Sequence, residues 1–210
     1  MELTDPAAVT PMFPLGRALF PYELLPLHVF EPRYRALVRD VTDTAGAFGV
    51  VLIERGREVG GGDVRFDVGT LARIVRLEQA ADGRYGLVTV GVRRIRVVEW
   101  LPDDPYPRAR VEPIAEPAPG SHARAAVGRV EHRLVEVAAL ARRFDPRVEE
   151  PAPLSPDPVR ASWEAAAVAP LGPLDAQRVL ETRSADDRLA ALEALLAEHA
   201  AALRFRLGPE

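Results

Sequence analysis

Two rhythms of apolar and polar residues divide this chain near residue 118. Before that point apolar residues come in short runs or alternate with polar ones, as strands require; beyond it they recur at spacings of three and four, as on a helix. Met12-Phe13-Pro14-Leu15 predicts a short strand ended by Gly16, and Pro21 and Pro26 keep the next stretch extended. Leu25, Leu27 and Val29 alternate with Pro26, His28 and Phe30, which predicts a strand packed on both faces. Glu31-Pro32 opens a helix, because proline suits the first helical position. Tyr34, Leu37, Val38 and Val41 give that helix one apolar face. The unbroken apolar run from Ala47 to Ile53 predicts a buried strand. Val68–Glu78 and Arg84–Trp100 form the arms of a long hairpin around Asp82-Gly83, where glycine accepts a positive φ. Gly91 interrupts the second arm and predicts a bulge or bend. Arg108–Glu112 adds a last strand.

In the second half Val127, Val130, Leu134, Val137, Ala141 and Phe144 mark a long amphipathic helix over Ser121–Phe144. The proline-dense stretch from Glu149 to Pro158 interrupts it. A helix carrying Trp163 follows, then a short one holding Leu174, Val179 and Leu180. Ser184-Ala185-Asp186-Asp187 has the form of a helix start. It leads into a seam of Leu189, Leu192, Leu196, His199 and Leu203 that ends at Gly208-Pro209. The pattern predicts an α+β protein: a curled, mostly antiparallel sheet with one early helix over residues 1–118, then a helical bundle over 119–210.

Composition narrows the chemistry. At 210 residues, with 48% hydrophobic and 28% charged residues, the chain is long and apolar enough to bury a core without staples. It has no cysteine, which excludes disulfides, thiolate metal sites and a cysteine nucleophile. All 27 basic residues are arginine. Without lysine there is no Walker-type phosphate lysine, no Schiff base and no Ser–Lys dyad. The net charge of −4 supplies no general field for nucleic acid. The start, Met1 to Pro6, lacks the basic and apolar parts of an export signal, and no apolar run approaches the ~20 residues of a membrane span. These features predict a cytoplasmic protein with no membrane segment.

Candidate chemistry is sparse. His28, His122, His132 and His199 show no metal-site spacing, and His28, in the β region beside Glu31, is the one singled out for a closer look. Gly60-Gly61-Gly62 lacks a nucleotide fingerprint and reads as a hairpin tip. No serine sits in a nucleophile elbow. Arg93, Arg94 and Arg96 form a small basic stretch on a strand that could meet phosphate, although such arginines usually pair with carboxylates. No cofactor, metal or catalytic set is predicted.

One segment is distinctive: Phe13-Pro14-Leu15-Gly16-Arg17-Ala18-Leu19-Phe20-Pro21, continued by Leu25-Pro26-Leu27-His28-Val29-Phe30-Glu31-Pro32-Arg33-Tyr34-Arg35. It resembles the opening of the substrate-binding domain of Lon ATP-dependent proteases, particularly stand-alone bacterial members. Gly69–Arg73, Val90–Ile95, Tyr106–Val111 and the stretch from Leu180-Glu181 to the last leucine helix resemble later parts of the same family, so the likeness covers about residues 11–206. It implies a PUA-like pseudobarrel followed by a helical bundle, with a role in recognising proteins. The ATPase and peptidase parts of such a protease need far more chain, a phosphate-binding lysine and a Ser–Lys dyad, so a non-catalytic module is expected. In the opening segment Arg33 or Arg35 is placed to pair with Glu31.

The resemblance implies binding of exposed apolar peptide segments or a protein partner, such as a protease, with the chain acting as adaptor or holdase. Tyr22, Trp100 and Tyr106 are the candidate contacts, being aromatics with polar tips near loops and strand ends. An RNA-binding barrel using Arg73, Arg93 and Arg96 is the alternative, and a small-ligand pocket around His28 and Glu31 a third.

Overall fold

Proline and glycine mark several of the element boundaries, and apolar spacing sets which side is buried. The computed structural model describes residues 9–56 and 64–208, and the glycine run at 60–62 lies outside the described residues. The chain forms two compact units, one up to Ala115 and one from Glu116.

The first unit holds six strands and a helix: β1 (Val9–Leu15), β2 (Leu24–Val29), α1 (Pro32–Thr42), β3 (Ala47–Arg55), β4 (Val64–Gln79), β5 (Tyr85–Leu101) and β6 (Arg108–Pro113). Pro32 stands at the start of α1, and Tyr34, Leu37, Val38 and Val41 are its buried residues, the face that the spacing marks. The hairpin turn carries Gly83 at φ 80°.

The sheet is mixed rather than antiparallel throughout, because β1 and β3 run parallel, with Met12 opposite Gly49 and Leu15 opposite Leu52. Parallel neighbours need a long connection, and β2 plus α1 supply it. The other pairings are antiparallel. Strand order is β2-β5-β4-β3-β1-β6, and β6 also pairs with β5. Five strands therefore close into a ring, and β2 lies outside it. The long β5 makes this possible: its first half, Tyr85–Val90, pairs with β2, and its second half, from Ile95, pairs with β6.

The change of partner falls at Gly91. The register against β4 slips there, with Leu71 opposite Arg93 and Ala72 opposite Gly91. A β-carbon on Gly91 would stand 2.1 Å from the Phe20 carbonyl oxygen, so only glycine lets the β1–β2 turn dock on β5. That turn is tied down by two backbone bonds, Tyr22 N–H to the Gly91 carbonyl (2.8 Å) and Gly91 N–H to the Glu23 carbonyl (2.9 Å).

Two apolar clusters fill the unit. One takes a residue or two from every ring strand, among them Met12, Val51, Leu71, Ile95 and Val111, and so fills the ring. The other packs Tyr34, Leu37 and Val38 of α1 against Phe13, Leu25, Phe48 and Leu87. Phe13 and Tyr34 stack with centroids 4.1 Å apart.

The second unit packs α2 (Ala123–Arg142), α3 (Pro158–Val168), α4 (Pro173–Leu180) and α5 (Ala185–Leu207) together, with α2 along α5 and α3 against both. Ser184 caps α5: its hydroxyl accepts the Asp187 N–H (3.1 Å) and donates to the Asp187 carboxylate (2.8 Å). Leu189, Leu192, Leu196 and Leu203 are buried as the seam requires. The seam runs through Ala200 rather than His199, which is only half-buried.

Candidate functional site

The three aromatics singled out in the sequence occupy different settings. Tyr22 is 47% exposed and sits at φ 67°, a left-handed conformation that the two bonds to Gly91 impose on a bulky residue. Glu23 stiffens the same turn by accepting the Phe20 N–H (2.9 Å) and pairing with Arg17. Burial pushes the Glu23 carboxyl above its ordinary range, against the opposing pull of the Phe20 amide and Arg17.

Trp100 lies on the other half of β5. Its indole N–H donates to Asp67 (3.1 Å), and the Arg65 guanidinium sits 4.8 Å from its ring centroid. Its polar tip and one face are therefore taken by β4. Tyr106 is a core residue rather than a surface contact: it is buried, and its hydroxyl donates to Asp40 (2.6 Å). The bond to α1 draws the ring inward. Burial first, and the Asp40 hydrogen bond second, push the phenol from 10.0 up to about 12.

A pH effect follows. A phenol whose pKa is raised by folding stabilises the fold fully below its unfolded value near 10 and loses that contribution as pH rises through about 12. Tyr106→Phe is expected to cost about 1 kcal/mol at pH 7–9. The gap to the wild type should close between pH 10 and 12, as read by denaturant unfolding. A gap unchanged across that window would contradict the assignment.

The notable surface is on β2. Leu25 and Val29 are buried and Leu27 half-buried, while Leu24, Pro26, His28 and Phe30 are exposed in strict alternation. The strand is thus packed on one face, not both. It is the outermost strand and has β5 as its one strand partner among the described residues. Leu24 is 62% exposed and Phe30 55%, so the face that should be polar on an edge strand is largely apolar along roughly 20 Å, interrupted by His28. Proline in this strand fits its edge position, where a missing N–H is tolerated.

Two cavities open beside β2. One of about 200 Å³ is lined by Phe13, Pro26, Leu27, His28, Glu31 and Tyr34, among others. It brings His28 and Glu31 together, but the Glu31 carboxylate is held by Arg33 Nε (3.1 Å), and most of the lining is apolar. Such a setting suits an apolar side chain better than proton transfer. The neighbouring cavity, about 240 Å³, is lined by His28, Val29, Phe30, Arg84 and Tyr85.

Of the basic residues considered for RNA, Arg96 lies 3.9 Å from Glu112, Arg93 is half-buried and Arg73 is exposed. Among the described residues no group of His, Asp or Glu is arranged to hold a metal ion, and no helix is long and apolar enough to cross a membrane. Sequence reasoning missed Leu24 and Phe30, although the signal was present as apolar residues on both faces of a strand beside a proline-rich turn.

A mixed, curled sheet with an early helix, followed by four packed helices, defines an α+β domain of small-barrel-plus-bundle type. Comparison with known proteins makes the assignment specific. The family model described as the ATP-dependent protease La (LON) substrate-binding domain matches residues 9–198, and the chain belongs to this family. A Lon protease of Anaeromyxobacter dehalogenans is 36% identical over 115 residues, 53% of this chain and 14% of that protein. Lon protease 2 of Bdellovibrio bacteriovorus is 28% identical over 206 residues, 89% of this chain and 24% of that protein. The chain thus spans a minor part of these relatives. Among solved structures, the Lon N-terminal domain protein from Xanthomonas campestris superposes with a TM-score of 0.62 at 28% identity, covering 90% of this chain and 98% of that one. The N-terminal domain of the Mycobacterium avium complex Lon protease gives a TM-score of 0.67 at 18% identity, a likeness of fold.

Proposed function

We propose that this chain is a non-catalytic recognition module that binds exposed apolar segments of other proteins along the outer face of β2. The observation that carries the reading is the alternation of exposed Leu24, Pro26 and Phe30 on an edge strand. An extended segment laid there finds apolar side chains, two adjoining cavities and unpaired strand backbone, the combination that serves strand addition. Tyr22, held rigidly at the head of the strand, extends the same surface with an aromatic ring.

Family membership supports a protein ligand, since the matched family is described as substrate-binding. In this reading the module works in the cytoplasm as an adaptor or holdase. It either hands unfolded chains to a protease or shields them. It needs no nucleotide, metal or cofactor of its own.

The test is a titration of a fluorescently labelled, chemically unfolded model protein with the chain, followed by anisotropy. Saturable binding of the unfolded form is expected, without nucleotide, together with little binding of the same protein when folded. Equal binding of both forms, or of neither, would contradict the proposal.

A further inference from the structure

The apolar face of β2 does not end in open solvent. Beyond Phe30 the cavity lined by His28, Phe30 and Tyr85 adjoins a third, of about 300 Å³, lined by Pro32, Arg35, Arg39, Gln79 and Tyr85. Tyr85 is common to both, so apolar lining gives way directly to cationic lining. Arg35 and Arg39 stand one helical turn apart on α1, facing the β4–β5 hairpin. The Arg35 guanidinium reaches that turn closely enough that a β-carbon on Gly83 would lie 2.2 Å from it.

Four nearby acids are otherwise engaged, and Asp43, one turn along α1 from Arg39, makes no ion pair with it. Glu31 pairs with Arg33, Asp82 with Arg84 and Glu78 with Arg76, while Asp40 accepts the Tyr106 hydroxyl. Among the described residues no carboxylate pairs with Arg35 or Arg39. Two like charges at i,i+4 repel, and an anion between them would relieve that cost. Guanidinium groups also match carboxylate geometry, with paired N–H donors for two oxygens.

We infer that this cavity takes an acidic side chain of the bound segment, so that the preferred client is an apolar stretch with Asp or Glu at one end. The inference rests on the reading of β2 as the client-binding face. It adds polarity to that face: the apolar part of the client lies along β2 and its acid falls beyond Phe30, between α1 and the hairpin.

Three short peptides of the same leucine- and phenylalanine-rich sequence test it by fluorescence anisotropy. The first carries one glutamate, with acetylated and amidated ends, so that its side chain is the sole carboxylate. The second has glutamine there, and the third has glutamine but a free terminal carboxylate. On the wild-type chain the glutamate peptide should bind about five- to tenfold tighter than its glutamine partner. On the double variant Arg35→Gln/Arg39→Gln that ratio should fall to about one, while the glutamine peptide binds both proteins alike and reports an intact apolar face. Equal affinities on the wild type, or a preference that survives in the variant, would overturn the inference and leave the β2 reading standing. A gain confined to the free-ended peptide would overturn it in favour of chain-end recognition. Failure of every peptide to bind the wild type would remove both readings.

Discussion

Arg188→Ala is expected to lower the stability of the helical unit by about 3–5 kcal/mol, a loss of the size that follows breaking a buried charge cluster. Arg188 is fully buried in α5. Its Nε donates to the Ser162 hydroxyl (2.8 Å) and a terminal nitrogen to Glu116 (2.8 Å), while the guanidinium lies 3.3 Å from the Trp163 ring centroid. One side chain therefore joins α5, α3 and the residue that opens the unit. Truncation leaves a cavity beside Trp163, removes the cation from its face and takes the Arg188 ion pair away from Glu116. Because the Glu116 side chain is 24% exposed it can rehydrate, which favours the lower part of the range. Arg188→Met should recover part of the loss, since it restores the stem without the charge. Thermal or urea unfolding followed by helical circular dichroism measures both. A cost below about 1 kcal/mol for the alanine variant would show that the cluster does not hold the helices.

The second large effect concerns binding. Leu24→Ser/Phe30→Ser should weaken the hold on unfolded protein by about 30-fold, corresponding to about 2 kcal/mol of lost apolar contact. Both side chains are more than half exposed in the free chain, so their removal should leave folding stability within about 0.5 kcal/mol of the wild type. That separation makes the variant useful. A substitution at Tyr34 or Leu25 would also reduce binding, but through the core that these residues occupy. The serine pair acts on the surface alone.

Much of this architecture was legible in the sequence because the signals are local. Helix α1 begins at Pro32 and buries the four residues that its spacing marks. The hairpin turns at Gly83, and the bulge falls at Gly91. Pairing between distant strands is a different matter. Nothing in the order of apolar residues says that β1 and β3 run parallel, or that β5 gives half its edge to β2 and half to β6. These follow from ring closure, a property of the whole sheet. The same gap hid the candidate site. Apolar residues on both faces of β2 predict burial on both, and only the strand's place outside the ring leaves Leu24 and Phe30 in solvent.

Side-chain partners were equally out of reach. Arg33 and Arg35 flank Tyr34 and look equivalent in sequence, yet Arg33 takes Glu31 and Arg35 reaches toward the hairpin. Tyr106 reads as an exposed aromatic in a proline-rich turn until Asp40, on a helix far back in the chain, draws it into the core. Lysine absence, by contrast, needed no structure. It excludes the lysine-dependent chemistry of an ATPase or Ser–Lys peptidase within these 210 residues.

The central claim is that β2 carries the client. Its most direct test is one anisotropy titration of labelled unfolded protein, run side by side on the wild-type chain and on Leu24→Ser/Phe30→Ser, with unfolding curves for both. The account expects saturable binding to the wild type, about 30-fold weaker binding to the variant, and superimposable unfolding. Equal affinity of two equally stable proteins would contradict it, and would move the recognition surface elsewhere on the molecule.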